Sequence, residues 1–136
     1  MLDRYLHPRL KPALNATAAL LDRPAVSPDG LTLLGFAIGV LALPFLALGW
    51  YQAALAAIVL NRLLDGLDGA LARRRGLTDA GGFLDISLDF LFYALVPFGF
   101  ILADPASNAL AGGWLLFAFI GTGSSFLAFA ALATKH

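Results

Sequence analysis

An all-α integral membrane bundle preceded by a surface helix is the fold this sequence predicts, and three observations predict it. Of 136 residues, 60% are hydrophobic and only 13% charged, whereas an ordinary soluble domain keeps roughly a quarter charged. Residues 31–49 and 106–134 carry no charged side chain, and about 20 such residues in a helix cross a bilayer core of ~30 Å. The basic residues cluster in alternate connections, as they do around membrane spans. A mean hydropathy of +0.81 agrees with all three.

Residues 1–26 read as an interfacial amphipathic segment. Leu2, Leu6, Leu10, Leu14 and Ala18 recur every fourth position, while Arg4, Arg9, Lys11 and Asn15 take other faces. Such a basic, one-sided helix over residues 2–21 lies on a membrane rather than crossing it. Pro8 and Pro12 are expected to kink it or delay its start. They also stand, with Arg9 and Lys11, where the apolar core of a signal peptide would be. His7, beside Pro8, is expected to be solvated.

Residues 27–136 then form the transmembrane domain. Ser27-Pro28-Asp29-Gly30 is a turn cluster that supplies a helix cap. The first span runs to Gly49 with a bend at Pro44, and Trp50 and Tyr51 follow as interfacial anchors. A second span covers about 51–74 and ends in Arg73-Arg74-Arg75. After a polar loop over 76–82, a third span covers about 82–103 and a fourth about 108–133. Arg4, Arg9, Lys11 and Arg23 precede the first span, Arg73 to Arg75 follow the second and Lys135 follows the fourth. The loops after spans one and three have no Lys or Arg. The N-terminus, the Arg-rich loop and the C-terminus are therefore expected in the cytoplasm, as in a bacterial-type inner membrane.

A net charge of zero gives no field for a nucleic-acid partner. The lack of cysteine removes disulfides, thiolate catalysis and thiolate metal sites. All nine acidic residues are aspartates, and five of them lie between Asp65 and Asp89. An acid at mid-span costs about 2.5–3.5 kcal/mol on insertion scales, so Asp65, Asp68, Asp85 and Asp89 require a polar cavity and counter-charges. Asp65 and Asp68 stand at i, i+3 and Asp85 and Asp89 at i, i+4, so each pair shares a helix face. Counting ~1.5 Å per residue from the connecting loop puts Asp68 and Asp85 at one depth and Asp65 and Asp89 one turn deeper. Antiparallel neighbours would stack the four as two pairs, and oxygen-only ligation favours Mg²⁺ or Mn²⁺. Gly66, Gly69, Ala70 and Ala72 leave one side of the second span without bulk, so a ligand could approach the backbone. The cluster Arg73 to Arg75 offers bidentate donors for phosphate.

Asp65-Gly-Leu-Asp68-Gly69-Ala-Leu-Ala72-Arg73, followed by Gly81-Gly-Phe-Leu-Asp85-Ile-Ser-Leu-Asp89, resembles the signature of the CDP-alcohol phosphatidyltransferases, D-x2-D-G-x2-A-R-x8-G-x3-D-x3-D. All fixed residues are present, with seven positions rather than eight between Arg73 and Gly81. The resemblance implies a CDP-linked lipid donor, a small alcohol acceptor and release of CMP in phospholipid biosynthesis. It implies Asp65, Asp68 and Asp85 as ligands of two divalent ions, with Asp89 as ligand, general base or both. It implies Gly69, Ala72 and Gly81 as room for the cytidine and Arg73 as a phosphate contact. Members usually have six spans, so a four-span chain is expected to be C-terminally incomplete. Membrane lipids and a second copy of the chain are the remaining candidate partners.

Other residues have plainer readings. Arg62 stands three positions before Asp65 and is expected to neutralise it. Arg74 and Arg75 are expected to set topology or touch lipid headgroups, and Asp79 to be solvated or to cap a helix. Gly121 to Ser125 follow no strand, so close helix packing accounts for them better than a phosphate loop. Two other functions compete: a UbiA-like Mg²⁺-dependent membrane prenyltransferase, and a non-enzymatic intramembrane ion or proton carrier. The Asp-Gly and Ala-Arg pairs at this spacing disfavour the first, and the second does not explain the glycines beside the acids or the triple Arg at their mouth.

Overall fold

Local sequence signals set the ends of six helices in the computed structural model, which describes residues 2–135, the first six of them by backbone path alone. The helices are α1 (Leu2–Leu21), α2 (Pro28–Val40), α3 (Ala42–Ala47), α4 (Tyr51–Arg75), α5 (Asp79–Ala103) and α6 (Pro105–Ala133). Ser27 caps α2 by accepting from the Gly30 amide at 2.9 Å, with Pro28 in the first turn. Pro44 has no N–H for the Val40 carbonyl, and the chain breaks there, at Leu41, into α2 and α3. Gly76 ends α4 at φ +102°, a conformation that residues with a Cβ rarely adopt.

Two boundaries fall earlier than the sequence suggests. Thr78 caps α5 by accepting from the Gly81 amide at 3.0 Å, so Asp79 to Gly82 form its first turn rather than a loop. Asp104 caps α6 by accepting from the Ser107 amide at 3.3 Å, with Pro105 opening the helix. α1 runs through Pro8 and Pro12 without a break. Both prolines sit on its exposed part, where water can take the carbonyls they leave unpaired. The side chain of His7 lies outside the described residues.

Burial is inverted relative to a soluble bundle. The core is built from Ala18, Ala42, Ala54, Ala57 and Ala70 with Leu46, Leu71 and Phe92, while large apolar side chains point outward. On α6 these include Leu110, Trp114, Phe117, Ile120 and Phe129, a continuous apolar surface that a bilayer covers. α2 with α3, α5 and α6 are each long and apolar enough to cross a membrane. α4 is long enough, at 25 residues, but its composition falls short because Arg62, Asp65, Asp68 and Arg73 to Arg75 lie in it. Its outward face is nevertheless apolar, through Leu55, Val59, Leu60 and Leu63. Three spans are thus apparent from composition, and the fourth rests on this one-sidedness.

α2 packs against both α4 and α5, α3 also touches both, and α6 lies against α5. Among the described residues α4 and α5 make no close backbone approach to each other. They are held apart by their shared neighbours, so the space between their loop-proximal ends stays open. Small residues allow the contacts that do form. A Cβ on Gly39 would lie 2.6 Å from Asn61 Nδ2 and 2.9 Å from Phe92 Cδ2, and one on Gly123 would lie 3.0 Å from Phe90. Gly121 has nothing within 4 Å, so of the two glycines in that run only Gly123 serves packing. Gly66 faces Leu14 of α1, 3.1 Å from where its Cβ would be. Its small size seats the surface helix rather than a ligand.

Gly39→Ala is expected to lower stability by about 1–3 kcal/mol, the usual cost of overpacking. Gly121→Ala should leave it equal or slightly higher, since the helix gains propensity. Thermal unfolding in detergent, followed by helical circular dichroism, checks both. A Gly39→Ala protein that melts like wild type would contradict the packing described.

Candidate active site

The loop-proximal halves of α2, α4 and α5 enclose a cleft of about 600 Å³. Ser27, Pro28, Asp29 and Thr32 of the α2 end form one wall, and Gly69, Ala72 and Arg73 of α4 another. Gly76, Leu77 and Thr78 close the rim, and Gly81, Gly82 and Asp85 bring in the start of α5. All four residues predicted to contact substrate, Gly69, Ala72, Arg73 and Gly81, line this space. Gly81 has a structural duty too: a Cβ there would lie 2.9 Å from Thr78 Oγ1 and 3.2 Å from Asp29 Oδ1. Any larger residue would disturb the cap of α5 and the approach of α2.

Asp68 and Asp85 line the inner end of the cleft, and Asp65 meets them from a smaller pocket beside it. Each offers one carboxylate oxygen, and the three oxygens lie within 4.8 Å of one another. That spread is slightly wider than the about 4 Å across one Mg²⁺ octahedron, a gap side-chain rotation can close. Asp68 is buried, at 4% exposure, and the other two are half-buried. Asp85 Oδ1 is buried with no hydrogen-bond partner among the described residues. A buried anionic oxygen left alone is costly, and a cation between the three carboxylates would satisfy it. The donor set, all oxygen and all anionic, fits a hard divalent ion.

Asp89 is not one of these three, though it shares a small pocket with Asp65 and Asp68. Its Oδ1 accepts from Arg62 Nη2 at 3.0 Å. The neutralising role expected of Arg62 is therefore shared, because its Nη1 is 3.6 Å from Asp65 Oδ2. Arg62 also donates from Nε and Nη2 to Asn61 Oδ1 at 2.9 and 2.7 Å, and from Nη1 to Tyr93 Oη at 3.2 Å. Its guanidinium carbon lies 4.9 Å from the Phe92 ring centre and 5.3 Å from that of Tyr93. Such an arginine is fully engaged as a fixed counter-charge. Asn61, buried at 4% exposure, steadies it and ties α4 to α2 by donating to the Gly35 carbonyl at 2.7 Å.

The three arginines at the mouth divide their duties. Arg75 donates to Asp22 Oδ1 at 2.9 Å and to the backbone carbonyls of Arg23 and Val26. Arg74 reaches Asp22 Oδ2 at 3.3 Å. Both clamp the α1–α2 connection onto the end of α4, a job that sequence alone did not suggest. Arg73 lines the cleft with no acidic or carbonyl partner among the described residues, which leaves its guanidinium for an anionic ligand. Thr32, Asn61, Tyr93 and Asp29 were missed by sequence reasoning. For Asn61 the signal was present, as a polar residue at mid-span beside an arginine.

Residues 25–136 match the profile of the CDP-alcohol phosphatidyltransferase family, and the chain belongs to that family. It is 83% identical over 136 residues, its full length, to the Escherichia coli K12 protein named Inner membrane protein YnjF, of which it covers 66%. It is 38% identical over 102 residues to an archaetidylinositol phosphate synthase of Pyrococcus horikoshii, covering 71% of this chain and 52% of that one. A phosphatidylinositol phosphate synthase of Streptomyces avermitilis is 39% identical over 105 residues, 75% of this chain and 43% of that one. The chain thus spans about half to two thirds of these relatives. No solved structure matches it.

The clamp at Asp22 gives a pH prediction. The guanidinium of Arg75, then that of Arg74, holds the Asp22 carboxyl below its ordinary value of 3.8. An acid depressed in the folded state stabilises it above the unfolded value and loses that contribution as pH falls through the folded one. Asp22→Asn should therefore melt below wild type at pH 6, and the difference should shrink as pH drops below about 4. A difference independent of pH would contradict the ion pair.

Proposed function

We propose that this chain carries the reaction centre of a membrane transferase of phospholipid biosynthesis. The enzyme moves a substituted phosphate from a CDP-linked lipid, such as CDP-diacylglycerol, to a small alcohol and releases CMP. The observation that carries the reading is the trio of carboxylates beside a 600 Å³ cleft whose wall holds an arginine with no partner among the described residues. Family membership favours it over a prenyltransferase or an ion carrier. Relatives named as synthases of inositol-phosphate lipids support an alcohol as acceptor.

Asp65, Asp68 and Asp85, with Asp89 as a further candidate ligand, would hold two Mg²⁺ or Mn²⁺ ions, which when bound neutralise charge on the diphosphate. The chain's own groups do the rest. Arg73 donates to a phosphate oxygen, and the bare backbones at Gly69, Ala72 and Gly81 leave space for the nucleoside. Asp89 takes the proton of the acceptor hydroxyl. The acceptor oxygen bonds to the phosphorus that carries the lipid, and the bond from that phosphorus to the bridging oxygen breaks, so CMP leaves with the electron pair. Arg62 holds Asp89 aimed, since its guanidinium has no freedom to turn away. The surface helix α1, seated by Leu14 on Gly66, keeps the cleft at the interface, where a lipid-anchored donor meets a soluble acceptor. The mouth then faces the cytoplasm.

CMP release from CDP-diacylglycerol, with a panel of small alcohols as acceptor, tests the reading. Release should require Mg²⁺ or Mn²⁺, stop in excess chelator and fall with Asp68→Asn. Full activity in chelator would sink it. Asp89→Asn separates the two roles of that residue. As a base, its loss should cost roughly 10²–10⁴-fold in turnover, leave donor affinity little changed and resist rescue by added Mg²⁺. Recovery to near wild-type turnover at high Mg²⁺ would make Asp89 a ligand instead.

A further inference from the structure

Thr32 lies one turn into α2, and its hydroxyl lies 2.6 Å from Asp68 Oδ2 and 3.0 Å from the Pro28 carbonyl. A hydroxyl has one proton to give. The shorter contact, to an anionic oxygen, is the stronger hydrogen bond and takes that proton. Asp68 is the most buried of the three clustered carboxylates. Among the described residues, Thr32 is the one hydrogen-bond donor it has. The contact also joins α2 to α4, between residues 36 positions apart in the chain.

The bond sits at a boundary. Behind the main cleft lies a second pocket of about 10 Å³, lined by Asn61, Arg62, Asp65 and Asp89, room for about one water molecule. Thr32 and Asp68 line both spaces. Without the hydroxyl, the Asp68 carboxylate would have no described hydrogen bond to hold it away from the inner pocket and the Arg62 charge.

We propose that Thr32 is a positioning residue for cation binding: its hydroxyl holds the Asp68 carboxylate so that one oxygen faces Asp65 and Asp85. The inference rests on reading those three aspartates as the cation site. It assigns to α2, which contributes none of the clustered carboxylates, control over the affinity of the site. Partners one step removed from a metal ligand typically change affinity by about 10–100-fold when lost.

The test is Mn²⁺ binding to the purified 136-residue chain in detergent, read by electron paramagnetic resonance with no substrate present. Thr32→Val should weaken binding by about 10–100-fold in protein that remains folded and monodisperse. Thr32→Ser, which keeps the hydroxyl, should bind as wild type does. In an Asp68→Asn background Thr32→Val should cause no further loss, because the two residues act as one unit. Wild-type affinity in the Val variant would overturn the proposal, and so would equal losses in the Ser and Val variants. Weak binding in Asp68→Asn beside intact binding in Thr32→Val would defeat this proposal alone. Failure of the wild-type chain to bind Mn²⁺ would defeat the cation reading beneath it.

Discussion

Four carboxylates inside membrane-spanning helices must find partners where water is scarce, and that requirement organises the bundle. At about 2.5–3.5 kcal/mol each on insertion scales, none can be left facing lipid. Asp89 is answered by Arg62, which is itself fixed by Asn61, Tyr93 and two aromatic faces. Asp68 is answered in part by Thr32. Asp85 retains a buried oxygen with no described partner. Arg62 offsets one of the four negative charges, and the remaining excess lies among the clustered aspartates, where the cleft opens.

The same requirement explains the packing. Helices α4 and α5 do not close on each other, because both pack instead on α2 and α3. Close seating of these neighbours depends on missing side-chain bulk, as at Gly39 against Asn61 and Phe92. The bulky apolar residues are released to the outside, where lipid receives them. Seating α1 on Gly66 and clamping Asp22 to Arg74 and Arg75 holds α1 and the connection after it against α4. Arg73 is thereby left facing the cleft with no acidic partner among the described residues.

Periodicity and spacing made the class of fold and the acidic site legible in the sequence. The i, i+3 and i, i+4 pairs placed Asp65, Asp68, Asp85 and Asp89 on inward faces, and the structure brings three of them together. Spacing could not show that Asp89 would turn to Arg62, because that depends on a contact between residues 27 positions apart. Nor could it separate Arg73 from its two neighbours, whose partners lie 49 to 53 positions away in the α1–α2 connection. Thr32 was hidden for a related reason, since a lone threonine in an apolar run commonly bonds its own helix. Thr78 and Asp104 carried readable capping signals, and the glycine- and proline-containing stretches beside them obscured where the helices start.

The central claim is that cations held by the aspartate trio meet the phosphates of a CDP-linked ligand in the cleft. Electron–nuclear double resonance on Mn²⁺-loaded protein with CMP bound addresses it directly, because it detects phosphorus in the immediate surroundings of the ion. A ³¹P coupling in wild type, lost in Asp68→Asn, is the predicted result. Mn²⁺ bound at the aspartates with no phosphorus coupling under saturating CMP would contradict the account.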